Sequence, residues 1–79
     1  MKLTVLSPEK SIVSCEVTAV EIPGAKGRFM VLKGHAPLLS SIVAGNVRYD
    51  CVEDSQRVEL AVKGGFVEVK NDEITICVD

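Results

Sequence analysis

From Val47 to the end of the chain apolar and polar residues alternate: Val47, Tyr49 and Cys51, then Val58, Leu60 and Val62, then Phe66 with Val67 and Val69, then Ile74, Ile76 and Val78. A period of two places successive side chains on opposite faces of an extended backbone, so each run predicts a half-buried β-strand. The segments between them, VEDSQ at 52–56, KGG at 63–65 and KNDE at 70–73, are turn chemistry. Their shortness predicts that consecutive strands pair as hairpins and form a meander.

The first half is less regular. KLTVL predicts an opening strand. Between Ser11 and Ile22, Val13, Cys15, Val17 and Ala19 share one parity while Val20 and Ile22 take the other, so a bulge or corner is expected near Ala19. IPGAKGR at 22–28 reads as an exposed turn, followed by a short strand from Phe29 to Leu32. No stretch of about ten residues keeps helical spacing without a breaker. The expected fold is therefore all-β, a small sandwich or flattened barrel of short, mostly antiparallel strands. The pattern runs to Asp79 without repeat or linker, which predicts a single domain over 1–79 and no C-terminal helical domain. A chain this short buries only about 60% of its unfolded surface, so support from a partner is expected.

Composition narrows the function. A net charge of −2, no Trp, one Tyr and two Phe offer neither a basic stripe nor stacking platforms, which argues against nucleic acid. No apolar run approaches the roughly 18 to 20 residues of a membrane helix, so direct membrane insertion is not expected. The opening MKLTVLSPEK breaks at Pro8 and Glu9 before a secretory core of about 7 to 15 apolar residues forms, and no export signal is expected. Cys15, Cys51 and Cys77 are odd in number and far apart, which argues against a disulfide framework, a disulfide-linked partner or a zinc site. Reduced, strand-borne, mostly buried thiols in a cytoplasmic protein fit that spacing.

The densest stretch for chemistry is KGHAPLL at 33–39, which carries the lone histidine. A catalytic His35 needs a nucleophile and an orienting acid, and Ser40, Ser41 and Asp50 lack any nucleophile context. His35 is expected to be structural or an interface residue, its ring bonded to backbone near the turn. Glu53 and Asp54 predict a solvated hairpin tip. Gly64 and Gly65 predict a glycine-permitted bulge between strands, since no phosphate-binding glycine pattern or helix follows them. No catalytic residue, cofactor or metal is expected. The alternative reading is a small β-barrel carrier or ligand-binding domain presenting Lys33, whose LKGH setting differs from the MKM or DKA surroundings of a modified carrier lysine.

Four segments in order carry a resemblance: LTVLSPEK (3–10), SCEVTAVEIPGAKGRF (14–29), LKGHAPLLSSIVAGNVR (32–48) and VKGGFVEVKNDEITICVD (62–79). Together they resemble the N-terminal β-sandwich domain of the epsilon subunit of F-type ATP synthases over essentially the whole chain. The resemblance implies a non-catalytic rotor component of the central stalk. Such a component grips the gamma subunit, sits on the ring of c subunits, and couples proton translocation to ATP synthesis. It also implies a peripheral location on the cytoplasmic face of the bacterial inner membrane. The family's GHAPLL faces gamma, which carries over to His35, Leu39 and Ser40, with Lys63 and Glu68 near the same contact. The GAKGRF loop, with Lys26, Gly27, Arg28 and Phe29, is the segment the family turns toward the c ring. Met30 and Lys33 stand where the family pattern has glycine and proline, so a turn of altered shape is expected there. The family's helical hairpin has no counterpart in the pattern up to Asp79, and a short form lacking it is expected.

Overall fold

A computed structural model describes residues 1–53 and 55–79, and its regular elements are all strands. They are β1 (Lys2–Leu6), β2 (Ser11–Gly24), β3 (Gly27–Leu32), β4 (Leu38–Ile42), β5 (Gly45–Cys51), β6 (Arg57–Val62), β7 (Gly65–Lys70) and β8 (Glu73–Val78). Neighbours run in the order β1-β8-β7-β4-β2-β5-β6, β3 adds to β2, and β1 also pairs β2, so the sheet folds back on itself. The pairing of β1 with β8 is parallel and the others are antiparallel. The all-β expectation holds.

The core lies between the inward faces. Leu3, Val5, Ile42, Val67, Val69, Ile74 and Ile76 from β1, β4, β7 and β8 meet Val17, Val20, Ile22, Val31, Val47 and Tyr49 from β2, β3 and β5. Strand β2 serves both groups, pairing β1 through Ser11–Glu16 and then β5 and β3 beyond. Its register against β5 slips between Val17 and Ala19, where one extra residue forms the expected bulge. The slip returns Val20 and Ile22 to the core side, and both are buried.

Three expectations need correction. First, the exposed turn expected over 22–28 is narrower: Pro23 and Gly24 are buried and end β2, and Gly24 pairs Gly27 across the exposed two-residue turn Ala25-Lys26. Pro23 is tolerated because β2 leaves β5 after Glu21 and meets β4 only at Gly24, so its missing N–H interrupts neither ladder. Its carbonyl accepts the Val43 N–H at 2.9 Å. Second, the meander breaks after β6. Strands β5–β6 and β7–β8 are hairpins, but β6 and β7 are not neighbours, and Lys63-Gly64 crosses between them. Gly64 thus belongs to a crossover and Gly65 opens β7, where a bulge was expected. Gly65 has φ +141°, and a Cβ there would overlap the carbonyl of Cys77. Third, the cysteines are half-buried, not mostly buried. Cys77 is out of phase with the core residues Ile74 and Ile76, and it lies opposite Phe66 on the outer side of β7–β8. Burial raises the Tyr49 hydroxyl pKa, and the nearby Cys15 and Cys51 thiols push it the same way.

The β7–β8 turn follows its sequence. Asn71 and Asp72 have φ +52° and +59°, the pair of positive values a type I′ hairpin needs and that Asn and Asp tolerate. Glu53 is exposed at the β5–β6 connection, whereas Asp54 lies outside the described residues.

Candidate partner-binding surfaces

The turn between β2 and β3 is built on close packing. A Cβ at Gly24 would come within 2.7 Å of the Phe29 ring, so the glycine lets the aromatic lie across the strand. Lys26 is exposed at the tip. Arg28 is exposed as well but already paired: its Nε donates to Glu21 Oε1 at 2.5 Å and its Nη2 to the Asn46 carbonyl at 2.7 Å.

That pairing is one end of a charge ladder. Glu21, Arg48 and Glu59 are successive cross-strand partners on β2, β5 and β6. Arg48 donates to Glu21 at 3.1 Å and to Glu59 at 2.6 Å, and Arg57 grips both oxygens of Asp50 at 3.0 and 3.2 Å. The hydrogen bond from Arg28 holds the Glu21 carboxyl below the usual carboxylate range, as Arg48 does for Glu59 and Arg57 for Asp50.

His35 lies in the loop between β3 and β4. Its N–H donates to the Leu32 carbonyl at 3.1 Å, and the ring Nδ1–H donates to the Ala36 carbonyl at 2.7 Å. The backbone contact expected for the ring is present. The ring shares a cleft of about 390 Å³ with Lys26, Arg28, Phe29, Leu38 and Ser40. Two groups of residues that sequence reasoning assigned to different partners therefore meet in one concavity.

Leu39 and Glu68 do not join them. They are cross-strand partners on β4 and β7, and Ser41 and Phe66 form the next pair on the same side. Leu39 is 71% exposed and Phe66 51% exposed, which gives this face an apolar centre. Lys63 lies apart in the β6–β7 crossover. Phe66 was missed as a surface residue, although Val67 and Val69, buried at the opposite parity, carry the signal. Exposed Met30 and Leu32 on β3, which among the described residues pairs β2 alone, were missed as well.

The fold agrees with known proteins. The family model described as ATP synthase, Delta/Epsilon chain, beta-sandwich domain matches residues 1–79, and the chain belongs to that family. The chain is 47% identical over 77 residues to the ATP synthase epsilon chain of Magnetococcus marinus, covering 98% of this chain and 55% of that protein. It is 41% identical over 71 residues to the ATP synthase epsilon chain of Chlorobium limicola, covering 90% of this chain and 80% of that one. The chain spans about half the length of the Magnetococcus, Lawsonia and Geobacter relatives it matches. Among solved structures, a chain of the Euglena gracilis mitochondrial ATP synthase OSCP/F1/c-ring assembly superposes with a TM-score of 0.87 at 23% identity, over 96% of this chain and 48% of that one. A chain of the Tetrahymena thermophila mitochondrial ATP synthase central stalk and c-ring gives 0.82 at 15% identity, over 98% and 61%. At such identities these two likenesses speak for the fold alone.

Proposed function

We propose that this chain is the β-sandwich domain of an ATP synthase central-stalk subunit, a non-catalytic rotor part that joins gamma to the c ring and couples proton translocation to ATP synthesis. The observation that carries this reading is the family match over 1–79 together with relatives named as ATP synthase epsilon chains. The domain would work peripherally, on the cytoplasmic face of a bacterial inner membrane, as part of the membrane-bound complex. A sheet that closes on itself suits the role, because cross-strand pairing on both sides of β2 makes a stiff body able to transmit torque.

Leu39 and Glu68, with Phe66 of the next pair beside them, form the face offered to gamma, since an exposed apolar centre with a polar border is how such contacts are built. His35 and Ser40 extend that contact from the cleft, and Lys63 lies at its margin. Lys26, Gly27, Arg28 and Phe29 make the tip offered to the c ring. Lys26 supplies the outward charge there, because Arg28 is already held by Glu21. The test is capture of the synthase from native membranes through an affinity tag on this chain. Gamma and c subunits in the eluate are expected, and their absence from an eluate containing the folded chain would refute the assignment.

A further inference from the structure

Asp72 stands 38 positions from Gly34 in sequence, and its Oδ1 accepts the Gly34 N–H at 2.9 Å. The backbone of Asp72 has a separate task. Its carbonyl accepts the Lys2 N–H at 3.1 Å, and its φ of +59° completes the type I′ turn with Asn71. The turn therefore does not depend on the carboxylate.

The loop that receives this bond carries His35. Gly34 holds φ +83°, which glycine alone adopts freely. The other two bonds of the segment, His35 N–H to Leu32 and His35 Nδ1–H to Ala36, stay within it. Of these three, the bond to Asp72 alone ties the loop to a distant strand pair. A carboxylate on a backbone N–H is a charge-assisted bond, stronger than its neutral counterpart.

We infer that Asp72 is the positioning residue of the His35 loop: its carboxylate seats residues 33–37, fixes the rim of the cleft, and favours partner binding without touching the partner. This rests on the partner-binding reading above. The physical basis is pre-organisation, because a loop ordered before association has less freedom to lose on binding.

The turn provides a clean separation of roles. Asp72→Gly leaves an Asn-Gly pair, the dipeptide type I′ turns favour most, and removes only the side-chain acceptor. Asp72→Asn keeps an acceptor oxygen and tolerates the positive φ. The experiment compares these variants with the natural chain by amide hydrogen exchange at Gly34, thermal unfolding, and calorimetric titration with the gamma subunit. Asp72→Gly is expected to unfold at the same or a higher temperature, to exchange the Gly34 amide about tenfold faster, and to bind gamma about five- to tenfold more weakly. Asp72→Asn is expected to stay within about twofold of the natural chain in both exchange and affinity. Unchanged Gly34 exchange in Asp72→Gly would overturn the inference, as would affinity lost only in step with stability in both variants. If the natural chain fails to bind gamma, the proposed function falls, while the Gly34 exchange still decides whether Asp72 holds the loop.

Discussion

Leu39 and Ser40 are neighbours on β4 with different surroundings: Leu39 stands 71% exposed beside Phe66 and Glu68, whereas Ser40 also lines the cleft shared with His35. Alternation along a strand makes this unavoidable. The two surfaces can therefore be probed by separate substitutions.

On the outer face, Leu39→Ala and Phe66→Ala should each weaken gamma binding by roughly 1–3 kcal/mol, the range of a contact-centre residue. Leu39→Ala should leave the unfolding temperature nearly unchanged, since little of that side chain is buried, whereas Phe66→Ala should lower it modestly, since about half of that residue is covered. Dissociation rates on immobilised gamma would check this, and unchanged rates for both variants would remove this face from the contact.

At the β2–β3 tip, Lys26 and Arg28 should behave differently despite sharing a charge. Lys26→Glu is expected to lower ATP-driven proton pumping by the assembled synthase with little effect on chain stability. Arg28→Ala is expected to destabilise the chain measurably, because the Asn46 carbonyl loses its side-chain donor and Glu21 keeps only Arg48. Parallel effects on pumping and melting for both variants would show that the tip acts as one unit.

The charge ladder predicts a pH dependence of stability. Glu21, Glu59 and Asp50 have carboxyl pKa values lowered in the folded chain by their arginine partners. Groups depressed on folding add stability that is fully present above the ordinary carboxylate range and lost as pH falls through their lowered folded values. Urea unfolding should show the chain weakening as pH drops below about 5, less steeply in Glu21→Gln and in high salt, where exposed pairs are screened. A pH profile identical in Glu21→Gln would show that the ladder contributes nothing to stability.

Two glycines should respond very differently to alanine. Gly65→Ala places a methyl group against the Cys77 carbonyl at φ +141°, and a loss of roughly 3 kcal/mol or more is expected. Gly27→Ala meets nothing within 4 Å and bears only the backbone strain of φ +125°, so about 1 kcal/mol is expected. Denaturant unfolding of the two variants measures the difference.

Much of the fold was legible because a period of two is a local signal. The alternation of Val47, Tyr49 and Cys51, the parity change before Val20, and the Asn71-Asp72 turn each act over a few residues. The break between β6 and β7 was not legible, since two hydrophobic runs joined by KGG read alike whether they pair with each other or with distant strands. Pro23 misled for a related reason: a turn-forming residue is harmless in a strand where neither flanking ladder needs its N–H, and that depends on where β5 and β4 end. For the surfaces, motif order pointed to His35, Leu39 and Ser40, but not to their division between a cleft and an outer face. Asp72 carried no signal beyond its turn, because its bond to Gly34 exists only after β7–β8 and the His35 loop are brought together.

Direct association with gamma is the most immediate test, read by calorimetric titration of the purified gamma subunit into this chain. The rotor assignment predicts saturable one-to-one binding, with an affinity reduced by Leu39→Ala and Phe66→Ala and retained in Lys63→Ala to within about threefold. Absence of saturable binding by a chain shown to be folded, at gamma concentrations well into the micromolar range, would contradict it.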